Sequence, residues 1–345
     1  MRCGLQHFSY PDITASIVHL YVCVFFMAVY THLSPADITS LLSQYAIGEF
    51  VSYQGIESGV ENSNYRIHTS QNQFILTIYE KRVREMDLPF YLGFMHHLQQ
   101  QGIPCPIPVK TRTGKLLTTC QEKPSAIVSF LQGKSLATIQ NAHLQELGTH
   151  MARMHLASLT FPMQLENRFS VASWRELFTQ ITGNAHALKP GLSEEIAYHL
   201  DFIDTHWPSG LPTGIIHGDL FPDNVFFTSG KLSGLIDFYF SCSDFLMYDL
   251  AICLNAWCFE PGGDFNITKA RCLLTYYHQV RPLSEAELSA LPILASGAAL
   301  RFLLTRLYDW LNPSATALVT PKDPLEYLKK LRFHHNIQSH LEYGL

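Results

Sequence analysis

Residues 215–227 read IIHGDLFPDNVFF, a polar stretch between two apolar runs. Turn-forming residues between strand-like segments predict either a simple turn or a functional loop. The polar side chains are closely spaced, since Asn224 follows Asp219 by five residues and His217 precedes it by two. The stretch therefore offers a carboxylate, an amide and an imidazole on one short loop.

The sequence after this loop predicts a β-hairpin. Two apolar runs, 225–227 and 232–236, flank a Ser-Gly turn, which is the pattern of two short antiparallel strands. A hairpin returns the end of its second strand to the start of its first, so Asp237 is expected beside Asn224 and Asp219. Two carboxylates and one amide are therefore predicted to converge at one end of the hairpin.

This set of side chains fits phosphoryl transfer from ATP. The reaction needs a carboxylate near the attacking hydroxyl and hard oxygen ligands for Mg²⁺, which keeps several of its waters. Asp219 is the predicted catalytic base, with His217 beside it at the catalytic centre. Asn224 and Asp237 are the predicted Mg²⁺ ligands. A degenerate loop with a purely structural role is the alternative that the residues leave open.

Protein kinases place H-R-D, an asparagine five residues after the aspartate, and then D-F-G in the same order. Here Gly218 stands in place of the arginine, and Tyr239 stands in place of the last glycine. No convincing A-P-E element follows. The pattern therefore predicts a kinase-like site without the activation loop of protein kinases.

Composition places the chain among globular proteins. It has 345 residues, of which 47% are hydrophobic and 15% are charged, and its formal net charge is -5. This balance gives no general attraction for nucleic acid or for acidic membranes, and we expect neither as a partner. The eight cysteines are scattered without a CxxC pair, which predicts reduced thiols, no zinc site and a cytoplasmic protein.

The apolar spacing predicts two lobes with a boundary near Gly133. Residues 27–133 are expected to form a small lobe of short antiparallel strands, with helices at 34–45 and 88–101. Residues 134–345 are expected to be mostly helical apart from the hairpin. The strands predicted in the small lobe are 49–53, 64–68, 74–79, 107–110, 115–119 and 125–132. The helices predicted in the large lobe are 141–159, 193–206, 246–258, 268–279, 285–311 and 324–341, with one break at Pro292 and capping boxes at Ser173 and Ser284.

The predicted fold is therefore α+β and bilobal, of the protein-kinase-like type. Its small antiparallel β-rich N-lobe would bind the nucleotide. Its larger, mostly helical C-lobe would carry catalysis and substrate binding.

Residues 1–26 stand apart from these lobes. Within them 13–26 read ITASIVHLYVCVFF, which is shorter than the ~20 residues of a membrane span and lacks an AxA-like cleavage signal. From Met27 onward the sequence reads as the start of a domain, because Ser34 is a plausible helix N-cap and Pro35 suits the first helical position. We predict that 1–26 are an extended start or tail. An ordered extra segment and a targeting signal are the alternatives.

HGDLFPDN at 217–224 and IDF at 236–238 resemble the aminoglycoside phosphotransferase/choline kinase superfamily. Other stretches are similar to bacterial homoserine kinases of the ThrB kinase-like type: GIESGVENSNYRI (55–67), FILTIYEKR (74–82), YDLAICLNAWCF (248–259) and ALRFLLTRLYDW (299–310). The resemblance extends from Met27 to the C-terminus. It implies an enzyme that uses ATP and Mg²⁺ to phosphorylate the side-chain hydroxyl of L-homoserine for threonine biosynthesis.

The resemblance also implies that the small lobe binds the nucleotide. The turn between its first two strands is rich in glycine and small polar residues and suits a close approach to phosphates. The third strand of kinases offers a lysine to the phosphates, but here Thr77 holds that place. The predicted nucleotide contacts are Gly55, Ser58, Gly59, Asn62, Ser63, Thr77, Lys81 and Arg82.

Homoserine is a zwitterion, and its carboxylate suits an arginine that binds two oxygens at once. Arg301 and Arg306 lie five residues apart on one predicted helix, so we expect one rather than both to face the site. Pairing of each with an acid such as Asp309 is the alternative. Asp249 and Trp257 are the other predicted substrate contacts, and packing in the large lobe is the alternative for both.

Three rival functions remain at this point. A choline or ethanolamine kinase would surround its quaternary or primary ammonium with aromatic rings such as Tyr248, Trp257, Tyr308 and Trp310. An aminoglycoside kinase would need several acidic residues near a C-terminus that is instead neutral to basic. A noncatalytic kinase-like binding module would have lost at least one of the three motif positions. ATP and L-homoserine are the expected partners, and no protein partner is indicated.

Overall fold

The structure is a computed structural model, and it describes residues 31–56, 62–80, 83–312 and 322–345. The predictions for residues 1–26 lie outside the described residues. The first described helix, α1 (Pro35–Leu42), begins as predicted. The Ser34 hydroxyl accepts from the Asp37 backbone N–H, and the Asp37 carboxylate accepts from the Ser34 backbone N–H.

A five-stranded antiparallel sheet forms the small lobe, with the strand order β1-β2-β3-β5-β4. Its strands are β1 (Phe50–Ile56), β2 (Ser63–Thr69), β3 (Gln73–Ile78), β4 (Thr118–Cys120) and β5 (Lys123–Ser129). The predicted strand at 107–110 runs beside β5, where the Val109 N–H donates to the Ile127 carbonyl oxygen at 2.8 Å and the Ser129 N–H donates to that of Ile107 at 2.9 Å. The small lobe is therefore sheet-based, as predicted.

Helix α2 (Leu88–Gln100) belongs to the small lobe by sequence but packs with the large one. Its residues Phe90, Phe94 and Leu98 are buried in the same core as the C-terminal helices. A separate apolar core lies between α1 and the sheet and includes Ile38 and Ile67. Helix α2 therefore belongs to the core of the large lobe, while the small lobe keeps a second core of its own. The boundary near Gly133 stays a prediction.

The large lobe is helical, as predicted, but the predicted break at Pro292 is wrong, because one continuous helix contains this residue. Its helices are α3 (Asn141–Ser158), α4 (Val171–Leu188), α5 (Leu192–His206), α6 (Leu246–Trp257), α7 (Ile267–Val280), α8 (Glu285–Leu311) and α9 (Leu325–His335). Helix α8 is the central element, because α4, α5, α6 and α9 all pack against it. It is long and apolar enough to cross a membrane by length and composition, yet 67% of its most apolar window is buried inside the protein. This burial identifies α8 as a core helix.

Two short antiparallel pairs interrupt the helices. Strands β7 (Val225–Thr228) and β8 (Lys231–Leu235) form the predicted hairpin. Strand β6 (Thr213–Ile216) pairs with β9 (Cys242–Phe245), a strand that the sequence analysis did not predict. The β6–β9 pair holds together the two ends of the segment that carries His217 to Phe240.

Candidate active site

The predicted hairpin brings the three motif side chains to one place. The Asn224 amide nitrogen donates to the Asp219 backbone carbonyl at 2.8 Å and to its carboxylate at 3.0 Å. The Ile236 N–H donates to the Asn224 backbone carbonyl at 3.0 Å, so Asp237 follows directly beside this pair. Asp237 is exposed and has a left-handed backbone with φ of 64°, which turns the chain sharply after the strand.

The contacts of Asn224 leave oxygen atoms at this place that suit a hard cation such as Mg²⁺. The amide nitrogen is engaged by Asp219, so the amide oxygen is the atom of Asn224 that can ligate a metal. The Asp237 carboxylate, the other predicted ligand, could offer a second oxygen. Together they match a Mg²⁺ that is held by few protein oxygens and by nucleotide phosphates.

His217 ties the catalytic loop to the hairpin. Its side chain is fully buried, and its Nε2–H donates to the Ile236 carbonyl oxygen at 2.9 Å. Because Nε2 carries the proton, Nδ1 accepts from the Asp219 N–H at 3.3 Å. Burial lowers the pKa of His217 and keeps it neutral. The His217 ring therefore holds the Asp219 backbone and the hairpin together. A direct catalytic role of His217 remains a prediction that this geometry does not support.

Asp249 lies beneath the same loop and not in the cleft. Its carboxylate on α6 is fully buried and accepts from the backbone N–H groups of His217 at 2.7 Å and Gly218 at 2.8 Å. The His155 Nε2–H donates to it as well, at 3.1 Å. Burial alone would raise the pKa of Asp249, but the hydrogen bonds from His155 and His217 outweigh burial and hold it below its usual value. The Asp249 carboxylate therefore supports the loop, and its contact with a substrate remains a prediction that this geometry does not support.

Trp257 and Arg301 also contact the loop from the core. The fully buried Trp257 indole donates to the Leu220 carbonyl oxygen at 2.8 Å. Arg301 is only 3% exposed, and its Nη1 donates to the Gly218 carbonyl oxygen at 2.7 Å. Trp257 thus packs beneath the loop, and its contact with a substrate stays a prediction. Contact of Arg301 with a substrate remains a prediction without support from this geometry.

Gly218 makes this close support possible. Its φ is +74°, and a Cβ at this position would lie 2.6 Å from the Phe240 carbonyl oxygen. The loop and the segment after Asp237 therefore approach each other more closely than a side chain at residue 218 would allow. This explains why the arginine of the protein-kinase pattern is absent here.

Arg306 points away from the loop. Its guanidinium donates to the Glu326 carboxylate at 2.7 Å and lies over the Tyr327 ring at 4.3 Å. The ion pair with Glu326 joins α8 to α9. Contact of Arg306 with a substrate carboxylate likewise remains a prediction that this geometry does not support.

Three of the predicted nucleotide contacts in the small lobe have side chains that bond to other residues of that lobe. Thr77 is 4% exposed and donates to the Asn64 side-chain oxygen at 2.8 Å. Ser63 is fully buried and donates to Glu80 at 2.8 Å, and Asn62 accepts from the Glu80 N–H at 3.2 Å. These three side chains form hydrogen bonds inside the lobe, and their contact with phosphates remains a prediction that this geometry does not support.

The other predicted nucleotide contacts divide into two groups. Gly55 is half-buried in β1, where it pairs with Tyr65 of β2. Its contact with the nucleotide stays a prediction. The remaining four residues lie outside the described residues, and their predicted contacts also stay predictions: Ser58, Gly59, Lys81 and Arg82.

Two groups at the site were missed from the sequence. His155 on α3 lies between the Asp249 carboxylate and the Tyr277 hydroxyl, which it meets through Nδ1 at 2.7 Å. Tyr239 contacts Tyr79 at the end of β3, with their hydroxyl oxygens 3.1 Å apart. His155 carried no usable signal, because a histidine on a helix is most often an ordinary core or surface residue. Tyr239 did carry one, since it departs from the D-F-G pattern.

Comparisons with known proteins show which family the chain resembles. The sequence model of the phosphotransferase enzyme family matches residues 52–283. A homoserine kinase of Xanthobacter autotrophicus is 55% identical over 319 residues, which cover 92% of this chain and 99% of that protein. One from Rhizobium johnstonii is 53% identical, with the same two coverages.

Solved structures show the same fold at low sequence identity. An amicoumacin kinase in complex with AMP-PNP, Ca²⁺ and its antibiotic has a TM-score of 0.64 at 16% identity, and the match covers 89% of this chain and 93% of that one. A spectinomycin phosphotransferase in complex with ADP and spectinomycin has a TM-score of 0.63 at 13% identity, covering 91% and 98%. With the family match and the relatives at 55% and 53% identity, these findings show that the chain belongs to the phosphotransferase enzyme family and groups with its homoserine kinases.

Proposed function

We propose that this protein is a homoserine kinase, which transfers the γ-phosphoryl group of ATP to the side-chain hydroxyl of L-homoserine. The product is O-phospho-L-homoserine, a precursor of threonine. The observation that carries the proposal is the 55% identity to a homoserine kinase over 99% of that protein's length. The catalytic loop and hairpin supply the chemistry that such a reaction needs.

The proposed roles follow from the loop geometry. Asp219 orients the homoserine hydroxyl and accepts its proton, because it is the loop carboxylate held in place by Asn224 and by the His217 ring. Asn224 and Asp237 would hold Mg²⁺ through their side-chain oxygens. When bound, Mg²⁺ neutralises charge on the phosphates of ATP. A solved relative of the fold holds an ATP analogue with Ca²⁺, which supports ATP with a divalent metal.

The rival substrates have less support. An aromatic cage for choline would need Tyr248 and Trp257 in the cleft, but both rings are buried in the core at 1% and 0% exposure. The aminoglycoside and amicoumacin kinases that share the fold are at most 17% identical among those compared, so they support the fold alone. A noncatalytic module would not need the hydrogen bond by which Asn224 holds the Asp219 carboxylate in place. We place the enzyme in the cytoplasm, as expected for biosynthesis.

A coupled assay of ADP release tests the function. L-homoserine should be phosphorylated in strong preference to choline and kanamycin. Asp219→Asn should lower kcat by about 10²–10⁴-fold, the usual contribution of a positioned acid–base group, while calorimetry shows MgATP binding close to wild type. Turnover of choline or kanamycin at the rate of homoserine would contradict the substrate, and an active Asp219→Asn variant would contradict the base.

A further inference from the structure

Two departures from the protein-kinase pattern lie side by side in this structure. Thr77 holds the β3 position at which kinases offer a lysine, and Tyr239 holds the position of the last glycine of D-F-G. Tyr79 is two residues after Thr77, and its hydroxyl oxygen is 3.1 Å from that of Tyr239. The segment after Asp237 is therefore joined to strand β3 across the junction of the lobes.

Ring packing fixes the position of Tyr239. Its ring meets Tyr79 edge-on with centroids 5.4 Å apart, and it meets Tyr91 of α2 edge-on at 5.8 Å. Edge-to-face geometry at these distances is favourable for aromatic pairs. The Tyr239 ring is thus held between the sheet and α2, and its hydroxyl is directed at β3.

Thr77 lies at the same end of the sheet, and its hydroxyl donates to the Asn64 side-chain oxygen at 2.8 Å. The contact between Tyr239 and the end of β3 is therefore the hydrogen bond that its hydroxyl shares with the Tyr79 hydroxyl.

The neighbouring residues connect this contact to the metal-binding aspartate. Tyr239 follows Asp237 by two residues, in the short turn Phe238–Phe240 that the Ser241 N–H closes by donating to the Phe238 carbonyl oxygen at 3.0 Å. Phe238 packs on the other side of the chain, against the His217 ring at 4.8 Å. The turn is thus held to the large lobe by Phe238 and to the small lobe by Tyr239.

We propose that Tyr239 is a positioning residue that fixes Asp237 relative to the small lobe through its hydroxyl contact with the β3 end. This inference rests on the proposed kinase function, because only a kinase needs Asp237 to be placed for a metal ion. In this proposal, a tyrosine of the large lobe joins the metal site to β3. Protein kinases place a lysine on this strand instead. Loss of the hydroxyl should loosen the turn and weaken metal-dependent nucleotide binding, while homoserine binding is retained.

The first test measures the turn itself. Tyr239→Phe and Tyr79→Phe each remove one hydroxyl and keep the ring packing. Hydrogen–deuterium exchange at the Ser241 amide should become about threefold to tenfold faster in either variant, the change expected from loss of one hydrogen bond. Tyr45→Phe is the matched control, because Tyr45 is a buried small-lobe tyrosine whose hydroxyl has no hydrogen-bond partner among the described residues. It should leave this exchange rate unchanged.

The second test measures metal-dependent binding and turnover. The Mg²⁺ concentration for half-maximal binding of AMP-PNP should rise about threefold to tenfold in each single variant, with KM for L-homoserine within about twofold of wild type. The double variant should match the single ones, because both remove the same contact. Additive effects, wild-type Mg²⁺ dependence with unchanged exchange, or an equal effect of Tyr45→Phe would each overturn the proposal. Binding and exchange need no phosphoryl acceptor, so failure of the homoserine assay alone would refute the proposed substrate and leave this test intact.

Discussion

Replacement of Asp249 by asparagine removes a buried charge from beneath the catalytic loop. The carboxylate accepts hydrogen bonds from His217 at 2.7 Å, Gly218 at 2.8 Å and His155 at 3.1 Å. An asparagine retains one carbonyl oxygen. In the more favourable of its two orientations, this oxygen still accepts hydrogen bonds from His217 and His155. The amide nitrogen then faces the Gly218 N–H, and because both groups are donors, no hydrogen bond forms between them.

The magnitude follows from these contacts. A hydrogen bond to a charged acceptor contributes about 1.5–3 kcal/mol, and a buried donor without a partner costs about 1–3 kcal/mol. Because the two retained bonds also lose their charged acceptor, we expect Asp249→Asn to lower the free energy of unfolding by about 2–4 kcal/mol. The loop that carries Asp219 would shift with it, so kcat should fall by at least about tenfold.

Urea denaturation and steady-state kinetics measure both quantities. Glu287→Gln is the matched control, since Glu287 is a buried carboxylate that accepts from Arg281 and Ser284 but lies away from the loop. It should lower stability and leave kcat near wild type. A loss of stability below about 1 kcal/mol in Asp249→Asn, or a kcat equal to that of the control, would refute the reasoning from hydrogen bonds.

Three further predictions concern the metal ligands, acid stability and the N-terminus. Asp237→Ala should abolish activity through lost metal binding, whereas Asn224→Ala should be milder and partly restored by raised Mg²⁺; an unchanged Mg²⁺ dependence in both would contradict the assignment. Burial lowers the pKa of His334 to about 3, so the unfolded chain binds the extra proton and stability should fall between pH 6.5 and 3. His334→Asn, which keeps an acceptor for the Tyr343 hydroxyl, should flatten that slope in denaturation curves. A chain that starts at Met27 should keep full activity and solubility, and loss of either would show that 1–26 belong to the fold.

Helix starts illustrate where local sequence suffices and where it does not. Ser284 caps α8 with Glu287 in a capping box, as predicted. The similar pattern at Ser173 does not start a helix, because α4 already begins at Val171. The buried Trp174 indole donates to the Phe169 carbonyl oxygen at 2.7 Å, and this contact from the core helps to fix where the chain enters the helix. A tertiary contact has overridden a local signal.

The hairpin with Asp219, Asn224 and Asp237 could be predicted because its partners lie within 20 residues of one another. Strand β9 could not, since its partner β6 is separated from it by the entire loop and hairpin. His155 and Asp249 are 94 residues apart in the chain and meet only after α3 and α6 have packed. Sequence spacing therefore predicted which motif residues come together. The contacts that support the loop from the core could be seen only in the folded structure.

The buried charges of Asp249 and Arg301, both on apolar helices, are stabilised by the peptide groups of the same residue, Gly218. The Gly218 N–H donates to the Asp249 carboxylate of α6, and the Gly218 carbonyl oxygen accepts from the Arg301 guanidinium of α8. Each charge is thus matched to the end of a peptide dipole with the opposite sign, which offsets part of the cost of its burial. A charge in an apolar run indicates that the fold supplies a partner for it, and here both partners belong to the loop that carries Asp219. It could not show whether the side chain faces the substrate or the back of the loop, because both arrangements leave the same pattern in the sequence.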